Sequence, residues 1–582
     1  MSVLYTKTML PITPKLPTFA KKSNMVSIAK NLYHILFIVL TIAFVLVFAG
    51  CEKINLSNID TQCYYIGECE DSTIVLKFEN VSSDKVTGLR YKVEDSPIAK
   101  EENLSISAGR KKCTVNINGI DIPIKVIPES IGSDSITGEY IVGKEHKKFQ
   151  FYKYKAPKFK QFEDQFQNEK YKVAVTKDVV YGNAKGFWSY NPDRNVTFAE
   201  AYSEKLGDLL KYNLSPRDID LKMDIYLPQD DTSKQRPLIM FIHGGAFFNG
   251  DKASEAYTKW STHFAKMGFV VASINYRMGF LPSADQIDCA GYRAAQDANA
   301  AMRYLIHNAA KYRINTNWIF AGGTSAGAIT ALNLAFMRNK NRPQSTKGSL
   351  FKSDLGDIES VSPQYKEKFT IKAVANMWGA VHDINMISNA KTSIISFHGD
   401  ADNIVPYGYD HPFNDVLDPI KIALRNDNSS EAKSVKSIFS LPLNKALTNK
   451  MYGSSLIDRM AKAKGNRSKL FTYPGGGHSL HVDKNNNLVP YFYFIQDSVT
   501  AFFVEELIPA PISIERDKSD QLCYKIMGGS IADIYWKAEN GIILESDNKQ
   551  AKIVFLPTKN ERVIIVSGHY SNGIGFWKEI KF

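Results

Sequence analysis

At 582 residues the chain is too long for one ordinary hydrophobic core and calls for several units. An apolar fraction of 44% and a charged fraction of 23% are those of folded globular domains, which excludes wholesale disorder and a polytopic membrane protein. Of the net +12, five charges come from Lys7, Lys15, Lys21, Lys22 and Lys30, leaving +7 for everything after residue 50, too dilute for the clustered basic stripe of a nucleic-acid partner.

The first element is a targeting signal. Residues 35–49 form an apolar run interrupted only by Thr41, preceded by Lys21, Lys22 and Lys30, and closed by Phe48-Ala49-Gly50-Cys51. The run is short of the roughly 20 apolar residues a membrane-spanning helix needs, and it ends in small residues. The segment resembles a bacterial lipoprotein signal with its lipobox, although Phe48 stands where that pattern has Leu. The resemblance implies that 1–50 are removed, that Cys51 is acylated as the new N-terminus, and that the protein is held at the cell envelope, facing the periplasm or the exterior. A start at Met25 would leave Lys30 as the charged flank. The other five cysteines show no metal-ligand spacing, and Cys63 and Cys69 could close a local disulfide.

From 51 to 157, short runs that alternate apolar and polar residues, such as 72–78, 112–117 and 122–127, predict a small all-β module. A Lys-, Phe- and Gln-rich linker follows at 159–172. Between 173 and 508 the pattern changes to buried-type strands (237–243, 269–275, 318–322, 371–377, 392–398, 469–473) alternating with helix-length segments (293–312, 326–337, 491–507). That order predicts an α/β class with a doubly wound, mostly parallel sheet and a site at the strand C-termini. Polar insertions break it at 339–368 and 410–467, the second a plausible lid. Alternating strands from 511 to 582 predict a second small β module, similar to the immunoglobulin-like appendages of secreted hydrolases.

The chemistry gathers in four places. Gly323-Thr324-Ser325-Ala326-Gly327 has the spacing of a nucleophile elbow, with an apolar strand before it and a helix after it, and Ser325 is the candidate nucleophile. A serine hydroxyl needs a base, and the base needs an orienting carboxylate. His478, after Gly475-Gly476-Gly477, is the base candidate in preference to His481. The loop Phe397-His398-Gly399-Asp400-Ala401-Asp402 offers two acids. His243-Gly244-Gly245 follows a buried strand, and the amides of Gly244, Gly245 and Ala326 are candidates for an oxyanion hole. The phosphate-loop spacing of 245–250 lacks the required Gly-Lys-Ser/Thr order, and His398, Asp400 and Asp402 lack the distal partner that a metal cluster needs.

On these motifs, the central 330 or so residues resemble the carboxylesterase and hormone-sensitive-lipase-like branch of the α/β-hydrolase superfamily. In related hydrolases the His-Gly-x-x-Asp-x-x-Val-Pro turn places the triad carboxylate at the position of Asp402, and segments matching Asn275-Tyr276-Arg277, Gln296 and Asp297 are mainly structural. The resemblance implies ester hydrolysis through an acyl-enzyme, with no metal or organic cofactor. A small-molecule or polymer-borne ester, such as an acylated polysaccharide, is the expected substrate. A serine peptidase and a non-catalytic cell-surface binding protein are the alternative readings.

Overall fold

The computed structural model describes residues 60–582 apart from 70–71, 95, 109–112, 125–126, 133–134, 143–144, 163–164, 167, 192–197, 231–232, 234, 282, 350–352, 389–390, 414–447 and 484. The leader 1–50, Cys51 and the middle of the 410–467 insertion therefore lie outside the described residues. The chain divides into two compact units, one formed by residues up to Glu163 together with Ile512–Phe582, the other by Asp164–Pro511.

In the second unit eight strands form one sheet: β1 (Val173–Gly186), β2 (Arg217–Pro228), β3 (Arg236–Ile242), β4 (Val270–Ile274), β5 (Ile314–Thr324), β6 (Ala373–Met377), β7 (Ser393–Gly399) and β8 (Ser468–Tyr473), in the spatial order β1-β2-β4-β3-β5-β6-β7-β8. The first two pair antiparallel, and β2 also runs antiparallel to β4; all pairs from β4 onward are parallel. Every residue of β3, β4, β6 and β7 is buried, as strands covered on both faces must be. By contrast, β1 is exposed at many positions along its length and carries two register shifts, which fits an edge strand.

The helices are α1 (Phe198–Leu214), α2 (Glu255–Lys266), α3 (Ala284–His307), α4 (Ala326–Phe336), α5 (Ser454–Ala463) and α6 (Pro490–Leu507). From β3 the chain steps one way to β4, then reverses past β3 to β5. Right-handed crossovers consequently put α2 on one face and α3 and α4 on the other. Packing agrees: α2 meets α6, with Trp260 stacked on Phe492 at 4.8 Å, while α3 packs on α4. The reversal makes the carboxyl ends of β3 and β5 a topological switch point, where open α/β sheets leave a crevice.

Part of the 410–467 insertion belongs to the framework. Met451–Gly453 pairs with Ala380–Val381 and Tyr409–Asp410, and α5 lays Ile457 and Ala461 against the core. Leu456 and Met460, four residues apart, lie on this crossover helix.

In the first unit, nine antiparallel strands form one sheet, in the order 120–124, 113–117, 100–108, 85–92, 72–81, 64–69, 145–153, 135–142 and 127–132. The C-terminal strands form a four-stranded and a three-stranded sheet. The segments 51–157 and 511–582, read from the sequence as separate modules, share a core here: Val75, Tyr91, Val93 and Ala99 pack with Ile542, Val554 and Leu556. The Ala99 amide donates to the Phe555 carbonyl (3.0 Å) and the Phe555 amide to the Pro97 carbonyl (2.7 Å). Cys63 is a free thiol that donates to Asp60 Oδ2 at 3.2 Å, beside the start of the extended strand Tyr64–Cys69.

Candidate active site

The turn between β5 and α4 puts Ser325 at φ 52° and ψ −121°, a backbone state outside the regions an L-residue prefers. Such a state persists only when the surroundings over-determine it. Here they do: a Cβ on Gly323 would lie 2.4 Å from the Ile242 carbonyl oxygen, and one on Gly327 would lie 1.9 Å from it. Strand β3 therefore closes on the turn from both sides, which only glycine at both positions allows. The Ser325 amide is tied to the Met377 carbonyl at 2.9 Å, and Thr324 is held through its Oγ1 by the Tyr257 hydroxyl at 2.7 Å.

Ser325 Oγ lies 2.9 Å from His478 Nε2, and His478 Nδ1 lies 2.7 Å from Asp402 Oδ2. A carboxylate only accepts, so Nδ1 carries the proton and Nε2 is left to accept the serine hydroxyl. Asp402 is 8% exposed. Its Oδ1 accepts the amides of Ile404 (2.8 Å) and Val405 (3.0 Å), and His398 Nε2 stands 3.3 Å from Oδ2. Burial works to raise the Asp402 carboxyl, but the hydrogen bonds from His398 and His478 outweigh it and hold the group well below the usual carboxylate range. Asp402 thus stays ionised facing the imidazole.

Asp400, the rival acid, turns away: its Oδ1 accepts the Gly475 amide at 2.6 Å, fastening the glycine loop that carries His478. His481, the rival base, is wedged between Trp260 (5.9 Å) and Trp378 (5.1 Å). Burial, then the neighbouring His478, lowers its imidazole to about 4.

Gly244 runs beside the nucleophile, close enough that a Cβ on it would sit 3.5 Å from the Ser325 Cβ. The amides of Gly244, Gly245 and Ala326 take no part in the turn and loop hydrogen bonds found among the described residues. Ala326 opens α4, whose N-terminus adds a positive dipole end. The residues expected to be structural brace this loop. The Tyr276 hydroxyl donates to the His243 carbonyl (2.9 Å), Asn275 Oδ1 accepts the Lys252 amide (2.6 Å), and Arg277 clamps buried Asp297, with 2.7 Å from its Nη2 to Oδ1. A cavity of about 640 Å³ opens over Ser325 and His478, lined also by Tyr257, Ile404, Phe413 and Val482.

Sequence reasoning weighed His398 as a metal ligand and as the first residue of the turn that carries Asp402, without a role of its own, and did not single out Tyr257. For His398 the available signal was its place in a fully buried strand, where a polar side chain must find partners.

Residues 223–393 match the model of the BD-FAE family. Curated relatives include the cAMP-regulated D2 protein of Dictyostelium discoideum, 32% identical over 111 residues (19% of this chain, 20% of that protein), and gut esterase 1 of Caenorhabditis elegans, 28% identical over 116 residues (20% of each). The chain thus spans about a fifth of the length of these relatives. Solved structures with similarity include esterase 2 of Thermogutta terrifontis (18% identity, 49% of this chain and 89% of that one, TM-score 0.32) and a truncated carbohydrate esterase from gut microbiota (19% identity, 60% and 99%, TM-score 0.34). The strand order and the elbow make residues 164–511 a doubly wound α/β unit with a nucleophile elbow at Ser325, and its stretch 223–393 is similar to the BD-FAE family.

Proposed function

We propose that this protein is a serine carboxylic ester hydrolase. One observation carries the reading: a hydroxyl, an imidazole and a buried carboxylate, distant in sequence, stand at 2.9 and 2.7 Å from one another in a single relay. Ser325 Oγ attacks the ester carbonyl as His478 Nε2 takes its proton. The oxyanion is received by the amides of Gly244, Gly245 and Ala326, each such donor contributing about 3 kcal/mol to the transition state. The imidazolium, stabilised by Asp402, returns the proton to the departing alkoxide, leaving an acyl-serine and a free alcohol. Water, deprotonated by the same imidazole, then releases the carboxylic acid and restores the serine.

The finer reading is an enzyme exported and anchored through acylated Cys51, acting on acyl groups of extracellular polysaccharides, with the C-terminal immunoglobulin-like strands as a spacer. The leader sequence and the β-rich unit outside the hydrolase support it. Loss of the protein from the membrane fraction in Cys51→Ala tests the anchor. The activity is tested with nitrophenyl acetate and a long-chain nitrophenyl ester. The wild type should hydrolyse at least one, and Ser325→Ala should lose about 10⁴-fold or more in kcat. Equal turnover by both proteins, or none by a folded wild type, would remove the proposal.

A further inference from the structure

The geometry points to His398 as a positioning residue for Asp402, a second histidine that locks the relay carboxylate in the plane His478 requires; this rests on the hydrolase reading above. His398 is the penultimate residue of the buried strand β7 and is fully buried. Its Nε2 lies 3.1 Å from the Val405 carbonyl oxygen and 3.3 Å from Asp402 Oδ2. Neither oxygen can donate, so Nε2 carries the proton and serves both. Nδ1 is then an acceptor, and the Ser454 hydroxyl, 2.7 Å away at the start of α5, supplies its hydrogen. Ser454 Oγ in turn accepts from Asn376 Nδ2 at 3.0 Å, the same nitrogen reaches Ser396 Oγ at 3.0 Å, and Asn376 Oδ1 accepts the Gly379 amide at 3.0 Å. The chain of donors runs from β6 through α5 to His398 and ends on Asp402; of the two acceptors facing the Ser454 hydroxyl, His398 Nδ1 at 2.7 Å is nearer than the Gly379 carbonyl at 3.3 Å.

The arrangement divides the work of Asp402 between its two oxygens. Oδ1 is pinned by two backbone amides, while Oδ2 has to accept from the His478 Nδ1–H as that ring becomes charged. With only His478 on Oδ2, a tilt of the carboxylate would carry the base with it. The His398 N–H, fixed to the Val405 carbonyl and thus to the loop of Asp402 itself, gives Oδ2 a second stationary partner. Removing it leaves the fold's apolar contacts largely intact but loosens the tautomer and aim of His478, so the loss falls on kcat and not on substrate binding.

Three variants separate this role from mere packing. His398→Leu keeps bulk and loses both nitrogens. His398→Asn keeps a polar group near the Nδ1 position and none at Nε2. His398→Gln can place an N–H near the Nε2 position. For Leu and Asn, kcat on the best nitrophenyl ester should fall about 10- to 100-fold, the range for removing an outer-shell partner, with KM within about twofold. The rate of covalent capture of Ser325 by a fluorophosphonate should fall in parallel, and Gln should restore kcat to within about threefold of wild type. Wild-type kcat in Leu or Asn, a loss confined to KM, or a Gln variant as impaired as Asn would overturn the assignment. Should Leu fail to fold, the Asn and Gln comparison decides. Ser325→Ala run alongside tells the two ideas apart: its retention of turnover sinks the hydrolase reading, whereas its silence beside a fully active Asn variant sinks only the role of His398.

Discussion

A buried charge is tolerated when every lone pair facing it is satisfied, and Asp402 meets that condition with two amides and two imidazoles. The neighbouring oxyanion loop holds a group in the opposite condition. His243 is 1% exposed, its Nδ1 is 2.7 Å from the Gly244 carbonyl, and burial lowers its imidazole to about 4, only partly offset by that bond. The folded state therefore binds this proton less readily than the unfolded state, in which the residue titrates near its ordinary 6.5. Stability from the neutral ring is complete above about pH 6.5 and declines as pH falls toward 4, by up to about 3 kcal/mol, a slope to which His481 adds in the same direction. Urea midpoints measured between pH 7.5 and 4.5 should drop accordingly, and in His243→Asn the dependence should shrink by about one proton. An unchanged slope in the variant would mean that this ring is not the group titrating. At this scale the sequence was informative where chemistry imposes order and spacing: Ser325, Asp402 and His478 follow one another with the turns each needs. It was silent on the partners of His398, because those of a histidine, here Ser454 and the Val405 carbonyl, are set by tertiary contact and not by local pattern.

Among the elements, the six strands read from apolar runs appear within a few residues of their observed ends, because strands covered on both faces leave continuous apolar stretches. The two antiparallel strands at the sheet's start and helix α2 went unread. β1 is mostly polar along its exposed edge, and α2 mixes Lys259, His263 and Lys266 among its buried aromatics. Helix α5 was taken for part of an insertion since its apolar face is only ten residues long and follows a long polar stretch. The elbow is the element whose geometry most tightly couples sequence to function. A methyl at Gly327 would have to displace the Ile242 carbonyl from 1.9 Å, and backbone of a fully buried central strand has nowhere to move. Gly327→Ala should therefore separate β3 from α4 by a few tenths of an ångström or more, spoiling the oxyanion amides. A loss of at least about 100-fold in kcat is expected, in line with removal of an oxyanion donor, read together with a lowered melting temperature. Wild-type turnover in a folded Gly327→Ala protein would show that the turn tolerates a side chain.

Across the whole molecule, the division into units cuts across the order of the chain, and no reading of sequence segments one at a time could show it. Alternation marks the strands of 60–162 and of 512–582 equally well, but alternation says only that one face is buried, never against what. The shared core supplies the answer: Ile542, 1% exposed, packs in the same cluster as Val75, Tyr91 and Val93, more than four hundred residues earlier. Neither segment's face is then complete alone. Ile542→Ala removes buried carbon from that cluster and should cost about 3 kcal/mol, a typical large-to-small penalty in a core. Since the cavity belongs to both segments, the lost protection against hydrogen exchange should appear in 72–81 and 85–92 as well as in 541–546 and its neighbour 550–555. Deprotection confined to the C-terminal strands would show that the two segments, although in contact, unfold independently, and the case for one cooperative β unit would end there.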